Sequence, residues 1–429
     1  MTLALDEQIA KLIVWFLYFV GLYFSLFWLS VLLFDPQQKG NSEPTRRKVW
    51  PEVTIILPMY NEEKTAEGTL RSVFAADYPK EKLHVIAVPN NCSDGTVKLL
   101  RRLQKSLDFE MIILKEGGKH LAMNAGLKRT QSPFFACLDA DSFIDKHAIK
   151  RLIEEFDSPR IAAVLPIMKV HNPNSVLLRV QWLEYILNFF YKYLMGKLDC
   201  IHVTPGPLSM FRTKIVKSLG GFRKAHMTED LELALRLQDN HYILKQSLEA
   251  FVYTKAPNTT KNFISQRTRW YHGTIMNVKD YKHVLFNTDY GDFGMFQMPL
   301  VATTGFLLLL GVVTALYLFV KQMYFTFKRW YLTHFDFLTY FSQLHWNKTF
   351  LDFDWQVIFT TFVLFGLLFI AIYLAFSSAK ERIGVLRNTK YFLMFLYYFI
   401  IYKFIMAYVW LKVLYRIVFK KSNQWGKVN

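Results

Sequence analysis

Long apolar stretches lie at both ends of the chain and enclose a middle part in which short apolar runs alternate with polar segments. Residues 12–34 carry no charge and are long enough to cross the roughly 30 Å hydrocarbon layer of a bilayer as one helix. Comparable stretches follow at residues 298–320, 357–376 and 391–418, the last interrupted by Lys403 and Lys412. This pattern predicts an integral, multi-pass membrane protein with a water-soluble domain between its first and second spans.

The residues that flank these stretches predict how the chain is oriented. Asp6 and Glu7 precede the first stretch, which is also longer than the apolar core of a signal peptide, so an uncleaved anchor is expected. Four basic residues follow it: Lys39, Arg46, Arg47 and Lys48. By the positive-inside rule they place the next domain in the cytosol, beneath the cell membrane.

The last stretch is ambiguous. If all three later stretches cross, a basic loop lies in the cytosol as the rule requires: Lys380, Arg382, Arg387 and Lys390. The same count leaves a basic tail outside: Arg416, Lys420 and Lys421. The stretch therefore either crosses despite its tail, which we expect, or lies partly in the interface. Lys403 within it is a packed or snorkelling side chain, or it lines an internal path.

Residues 49–260 have the pattern of a folded α/β domain. Short apolar runs typical of buried strands occupy residues 53–57, 83–88, 111–114 and 134–138. Helix-compatible segments such as 66–76 and 96–106 separate them, and this alternation predicts a parallel sheet with ligands beyond the carboxyl ends of its strands. Residues 175–198 are too polar to span, and we expect an amphipathic helix on the membrane surface there.

The bulk composition agrees with a chain that is part membrane and part globular, since 52% of its residues are hydrophobic and 17% are aromatic. Basic flanks of the spans and a polyphosphate substrate explain the net charge of +18, and no signature of a nucleic-acid-binding fold accompanies it. The spacing of Cys92, Cys137 and Cys200 matches no zinc site or disulfide framework. We expect reduced cysteines, with Cys137 packed in a strand.

Polar residues follow the first two strands, at the edge where a nucleotide would bind. Pro58 is expected to stop the first strand, and Tyr60 and Glu62 follow it in a polar turn. Asn90 and Asn91 end the second strand, and their amides suit a base or a ribose. Both turns are equally typical of helix caps, so neither is specific alone.

Lys119 follows two glycines in the turn after the third strand. Glycines allow the backbone to approach a ligand closely, and the lysine suits a phosphate. An ordinary glycine turn with a solvated lysine is the competing interpretation. The spacing is not that of a P-loop.

Asp139 and Asp141 follow the fourth strand and are candidate metal ligands, with Asp139 also beside the donor. Alternate side chains of an extended chain share one side, and two neighbouring carboxylates repel unless a cation neutralises them. Mg²⁺ or Mn²⁺, completed by diphosphate oxygens and water, would do so. The alternative is a solvated turn with helix-capping acids, but the position at a strand end favours the metal.

Two later motifs complete the candidate chemistry. Thr228 precedes Glu229 and Asp230 at the start of an amphipathic helix. A helix cap by Thr228, with acids that complement the helix dipole, is one interpretation. The accompanying motifs favour the other, in which Glu229 and Asp230 are catalytic and Asp230 is the general base. A second cluster shares one helix face: Gln266, Arg269 and Trp270. An arginine there would neutralise a diphosphate and a tryptophan would stack on a sugar, although an interfacial Arg-Trp pair explains the cluster equally.

As a set, these motifs resemble the membrane-integrated, processive family-two glycosyltransferases: the hyaluronan, cellulose, chitin and poly-N-acetylglucosamine synthases. The resemblance covers the soluble domain and extends into the spans that follow it. It implies a GT-A (Rossmann-like) fold, a nucleotide-diphosphate-sugar donor and inversion at the anomeric carbon. By the same resemblance Asp141 holds the metal, Asp230 is the base and Trp270 stacks on the acceptor sugar, and the Gln-x-x-Arg-Trp motif is associated with processive synthesis.

The chain departs from that family in two features. Asn90 and Asn91 stand where the family usually has an acid that meets the uracil, although an amide also pairs with a base. The single amino-terminal span is fewer than in hyaluronan and poly-N-acetylglucosamine synthases. A wide channel would therefore need a partner protein or a second copy of the chain.

The sequence thus predicts an anchor with a basic linker (1–48), a GT-A domain (49–260), interfacial helices (261–297) and a membrane region (298–429). The leading hypothesis is a synthase that extends a β-linked polysaccharide from a UDP-sugar at the membrane and guides it across. Non-processive transfer to a lipid acceptor and a non-enzymatic membrane scaffold are the alternatives. Expected partners are the nucleotide-sugar donor, the polysaccharide or lipid acceptor and membrane lipids, without nucleic acid.

Overall fold

The computed structural model describes residues 2–33, 49–336, 355–381 and 389–419. Several basic residues that were used to predict orientation lie outside these ranges: Lys39, Arg46, Arg47, Lys48, Arg382, Arg387, Lys420 and Lys421. The first described range is a single helix, α1 (Thr2–Leu33), which includes the predicted anchor. An α/β domain begins in the second described range, which starts at residue 49.

The first half of the domain alternates strand and helix as predicted. The strands β1 (Val53–Met59), β2 (Leu83–Pro89), β3 (Glu110–Met111) and β4 (Phe134–Cys137) are parallel, and they alternate with α2 (Ala66–Phe74), α3 (Thr96–Leu103) and α4 (Lys119–Arg129). Nearly all side chains of β1, β2 and β4 are buried, on both faces of the sheet, which explains the continuous apolar runs of these three strands. Cys137 is buried in β4, as expected.

Pro58 does not stop β1, because the strand continues to Met59. The pairing of β4 with β1 ends at Cys137 and Ile56. On that side of β1 the Leu138 N–H still donates to the Ile56 carbonyl oxygen at 2.9 Å, and Pro58, which has no N–H, adds no further ladder bond. The chain turns at Asn61 instead, in the left-handed region with φ 54°.

The complete sheet is mixed, so the prediction of a parallel sheet holds only for its first half. Four further strands extend it: β5 (Ser142–Ile144), β6 (Ile161–Val170), β7 (Ser209–Arg212) and β8 (Ile243–Thr254). The order is β3-β2-β1-β4-β7-β6-β8-β5, with β7 antiparallel to both of its neighbours and β5 antiparallel to β8. Since Cys137 pairs with Ser209, the loop before β7 lies over the carboxyl end of β4.

Helices pack around this sheet and lead to the membrane region. In chain order they are α5 (Ala148–Glu154), α6 (Val176–Lys197), α7 (Thr213–Ser218), α8 (Glu229–Asp239) and α9 (Thr260–Asp280). The helix α6 forms where expected, but it is not an amphipathic surface helix. Three of its polar residues are buried: Gln181, Glu184 and Lys192. It packs between the sheet and the apolar helices, so its polar side chains are internal links rather than a solvent face.

Four segments of the described ranges are helical, long and apolar enough to cross a membrane: Gln8–Leu33, Phe293–Leu332, Trp355–Ser378 and Leu393–Val418. The second contains α10 (Met298–Leu332), which extends well beyond the predicted end at residue 320. The third is α11 (Trp355–Ser378). The fourth holds the end of α12 (Thr389–Leu396) and all of α13 (Tyr402–Val418), which a π-helical turn joins. The Lys403 ammonium lies 4.9 Å from the ring centroid of Tyr398, which supports its interpretation as a packed residue.

Candidate active site

Lys119 lies at the centre of the polar groups that meet at the carboxyl ends of β1, β2 and β4. Its Nζ is 2.6 Å from Asp139 Oδ1 and 3.8 Å from Glu229 Oε1, and its side chain is only 23% exposed. Burial lowers the pKa of Lys119, but Asp139 and Glu229 outweigh that effect and raise it well above its ordinary value. The interpretation as a solvated turn lysine is therefore wrong. Lys119 is a fixed positive charge that joins the motifs of β4 and α8.

Asp139 and Asp141 lie in a turn rather than in the extended chain that was predicted. The Ser142 N–H donates to the Asp139 carbonyl oxygen at 3.0 Å, and the Ser142 hydroxyl donates to Asp141 Oδ1 at 3.2 Å. The turn still keeps the two carboxylates close, because burial and then the charges of Asp139 and Glu62 raise the pKa of Asp141 to about 7. The carboxylates of Asp139 and Glu62 thus lie close enough to Asp141 to disfavour its charged form.

This arrangement fits a divalent cation. Asp139 is paired with Lys119, whereas Asp141 forms no ion pair within the described ranges, and its raised pKa shows that its charged form lacks a closely paired cation. In the part of the chain that the structure describes, no three His, Cys, Asp or Glu side chains form a complete metal cage. Mg²⁺ commonly uses one or two carboxylates and completes its shell with substrate phosphates and water, so two aspartates suffice.

Asp230 lies in the first turn of α8. Its carboxylate accepts from the Leu231 N–H at 2.9 Å, and the Thr204 hydroxyl donates to its carbonyl oxygen at 2.7 Å. Burial and then the charge of Glu229 raise the pKa of Asp230 to about 6, although Lys119 acts in the opposite direction. A carboxylate of this kind is ionised at neutral pH and is a stronger base than a solvated aspartate.

Thr228 does not cap α8, which removes the simplest structural explanation of its motif. Its hydroxyl donates to the Ala225 carbonyl oxygen at 3.0 Å and accepts from the Asn277 amide at 2.9 Å. The Arg269 guanidinium donates to the Met227 carbonyl oxygen at 2.8 Å. Two contacts from α9 therefore fix the segment that leads into Glu229 and Asp230.

The donor-side residues adjoin the Lys119 turn. The Asn90 amide donates to the Gly118 carbonyl oxygen at 2.7 Å, while its own oxygen is buried without a partner among the described residues. Asp94 accepts from the Thr96 N–H at 3.0 Å and so caps α3, which leaves Asn90 and Asn91 without a capping role. Half-buried neighbours stand at the same edge of the sheet: Pro58, Tyr60 and Glu62.

The acceptor-side cluster contains a residue that sequence reasoning missed. Arg267 is 0% exposed, and its Nη2 lies 2.5 Å from Glu184 Oε2 while its Nη1 lies 2.8 Å from Gln266 Oε1. Its Cζ is 4.1 Å from the ring centroid of Trp270. The signal that would have revealed it, an acid in α6, is 83 residues away in the chain. Gln266 and Trp270 themselves are half-buried.

A separate cavity of about 940 Å³ opens on the other side of α8. Its lining includes Arg223, His226, Arg236, Asp280 and Tyr281, and none of the predicted site residues lines it. The candidate active site is therefore defined by the converging charges around Lys119 rather than by this cavity.

Comparisons with known proteins agree with this geometry. A model of the family described as "Glycosyl transferase family 2" matches residues 54–220. The chain is 28% identical over 268 residues to a poly-beta-1,6-N-acetyl-D-glucosamine synthase from Staphylococcus epidermidis, covering 60% of this chain and 64% of that protein. The same enzyme from Staphylococcus aureus (strain COL) is 29% identical over 267 residues with the same coverage. The chain thus spans a little under two thirds of these relatives.

A solved structure with a similar fold is a mannosyltransferase from Pyrobaculum calidifontis, in complex with GDP-Man and Mn²⁺. The TM-score is 0.56 at 19% sequence identity, and the match covers 80% of this chain and 99% of that one. The mixed sheet and its flanking helices accordingly have the fold of GT-A glycosyltransferases, as the sequence predicted.

Proposed function

We propose that the protein extends a β-linked polysaccharide at the membrane from a nucleotide-diphosphate sugar, and the match of residues 54–220 to glycosyltransferase family 2 supports this proposal. The observation that carries this proposal is the convergence of Lys119, Asp139 and Asp230, which lie far apart in the chain, on one polar centre. The relatives named as poly-beta-1,6-N-acetyl-D-glucosamine synthases support a polymeric product. They also make UDP-N-acetylglucosamine the first donor to test.

The donor would bind across the ends of β1, β2 and β4. Tyr60, Glu62, Asn90 and Asn91 would contact the nucleoside, with the unpartnered oxygen of Asn90 available to a base or ribose donor. Lys119 presents a fixed positive charge to the diphosphate. Asp141, with Asp139, would hold Mg²⁺ or Mn²⁺, and such an ion would neutralise charge on the diphosphate.

The transfer would be a single displacement with inversion. An acceptor hydroxyl oxygen attacks the anomeric carbon, the bond from that carbon to the diphosphate oxygen breaks, and Asp230 takes the hydroxyl proton. With a pKa of about 6, Asp230 is ionised at neutral pH, and Lys119 and Arg269 help to keep it so. Arg269 would also stabilise the departing diphosphate.

The acceptor would lie against α9. Trp270 offers an aromatic face to a sugar ring and Gln266 offers an amide, both on a helix that contacts the membrane helices. A lipid-linked acceptor with a single transferred sugar is the second candidate. It is favoured by the four apolar segments of the described ranges, a small number for a polymer channel.

A donor screen on the purified full-length protein tests the proposal. Labelled UDP-sugars, beginning with UDP-N-acetylglucosamine, are supplied with Mg²⁺, with Mn²⁺ or with EDTA, and the products are sized. We expect a polymer with one donor and a divalent ion, and loss of about two orders of magnitude or more in rate in Asp230→Asn. The matched variant Asp239→Asn, at the other end of α8, should retain activity because Asp239 pairs with His283 instead.

Each other result has a defined meaning. Single-sugar products on a lipid would replace the polymerase by the second candidate. Full activity in Asp230→Asn would remove the assignment of the base. A wild-type protein that neither binds nor hydrolyses any nucleotide sugar would overturn the proposal in favour of a membrane scaffold.

A further inference from the structure

Arg267 occupies an unusual position within the acceptor-side helix. It is the largest side chain in the described ranges that is fully buried, and it lies between two aromatic rings of its own helix face. Its Cζ is 4.8 Å from the ring centroid of Phe263, four residues earlier, and 4.1 Å from that of Trp270, three residues later. The guanidinium is therefore the surface on which the Trp270 indole rests.

The same guanidinium is held by polar contacts on its edges. Glu184 Oε2 of α6 accepts from Nη2 at 2.5 Å, and Gln266 Oε1 accepts from Nη1 at 2.8 Å. One group thus contacts both residues, Gln266 and Trp270, that were assigned to the acceptor. Glu184 in turn connects this arrangement to α6.

The cost of burying this ion pair argues for a role beyond stability. Removing two charges from water costs several kcal/mol per ion, and apolar residues of similar volume often replace such a pair without loss of stability. What apolar residues do not supply is a planar cation that stacks on an indole and bonds an amide at a fixed angle. Those properties matter for orienting neighbouring side chains.

We propose that Arg267, held by Glu184, is a positioning residue that sets the orientation of the Trp270 indole and the Gln266 amide and so prepares the acceptor subsite. This inference rests on the proposed function and deepens it. Its loss raises the KM for the acceptor and shortens the polymer, while the donor side, built on β1, β2 and β4, keeps its KM.

The experiment compares Arg267→Met, Arg267→Lys and Glu184→Gln in the full-length protein. The acceptor probe is a β-1,6-linked N-acetylglucosamine oligosaccharide, and the readouts are the KM for the probe, the KM for the donor and product length. We expect about a tenfold rise in acceptor KM in all three and less than about a twofold change in donor KM. Arg267→Lys is decisive, since lysine keeps the charge but not the plane.

A spectroscopic readout reports the orientation directly. In protein labelled with 5-fluorotryptophan, the ¹⁹F resonance of Trp270 is identified by its disappearance in Trp270→Phe. We expect it to shift or broaden in Arg267→Met and Arg267→Lys.

The matched control is Lys169→Met. Lys169 also combines an ion pair with a ring contact, 2.9 Å from Glu381 and 4.5 Å from the Phe251 ring centroid, but it lies away from α9. This variant should leave the Trp270 resonance and the acceptor KM unchanged.

The outcomes separate this inference from the proposal on which it rests. If the wild type transfers no sugar, the proposed function fails. If the wild type is active, the inference is overturned by an unchanged acceptor KM, by full rescue in Arg267→Lys, or by parallel changes of donor KM, acceptor KM and thermal stability. A shift of the Trp270 resonance in Lys169→Met would overturn it as well.

Discussion

The neighbours of Asp230 act on its pKa in opposite directions, and their balance sets the pH range in which it would serve as the proposed base. Burial and Glu229 raise its pKa, whereas Lys119 and Arg269 lower it, and the balance lies at about 6. Protonated Asp230 cannot accept the proton of the acceptor hydroxyl. We therefore expect kcat/KM to be constant above that pH and to fall about tenfold per pH unit below it, in rate profiles measured with saturating metal.

Replacing Lys119 by glutamine should move this acid limb to higher pH, because the variant lacks a positive charge that lowers the pKa of Asp230. The rate should fall at every pH, since Lys119 also faces the diphosphate. Lys128→Gln, on the exposed side of the same helix α4, is the matched control and should leave the profile unchanged. An acid limb that stays in place in Lys119→Gln would show that Asp230 is not the titrating group.

At the scale of elements, the close approach of α9 to the start of α8 positions Asp230, the proposed base. A Cβ at Gly273 would lie 2.4 Å from Thr228 Oγ1 and 2.5 Å from Thr228 Cγ2, closer than real contacts allow. Gly273→Ala should therefore displace the segment that leads to Asp230 and lower kcat by about tenfold or more, although it touches no substrate. Steady-state kinetics with the donor and acceptor of the wild type measure this loss.

Two further variants test that reasoning. Gly366→Ala in α11 places its new methyl group in open space and should leave kcat unchanged. Gly273→Ala combined with Thr228→Ala removes the clashing atoms and should recover part of the lost rate. Equal losses in the single and double variants would mean that the contact with Thr228 does not transmit the effect.

The elements that the sequence predicted are those whose pattern is local. The strands β1, β2 and β4 are buried on both faces and are therefore continuous apolar runs, and the motifs at their ends could be placed together because parallel strands end at one edge. The strand β7 has only four residues, Ser209–Arg212, and its antiparallel pairing depends on partners far along the chain. Such short strands leave no periodic pattern to recognise.

The residues of the candidate site also divide into those with a local sequence signal and those without one. Lys119, Asp139 and Asp230 were recognisable from their strand-end and helix-start positions. Glu184 was mistaken for part of a solvent-facing surface because its partner, Arg267, is distant in sequence. A polar residue in an apolar helix is ambiguous until the structure supplies the opposite charge.

At the scale of the whole molecule, the α/β domain is joined to the membrane helices on the side that is proposed to bind the acceptor. The ring of Tyr271 in α9 lies 4.7 Å from that of Trp410 in α13, and the ring of Phe263 in α9 lies 5.9 Å from that of Tyr402 in α13. Among the described residues, β1 and β2, which carry the proposed donor-binding residues, make no ring contact with these helices. This division suits transfer from a soluble nucleotide sugar to an acceptor at the membrane surface.

The orientation of that domain can be tested with a native cysteine. Cys92 is partly exposed on the donor side, whereas Cys137 and Cys200 are buried. A cytosolic domain predicts that a membrane-impermeant maleimide labels Cys92 in inverted vesicles but not in intact cells, and that Cys92→Ser abolishes the signal. Nucleotide sugar should reduce labelling, because Cys92 adjoins Asn91. Equal labelling in intact cells would place the domain outside, away from cytosolic nucleotide sugars, and would contradict both the topology and the donor.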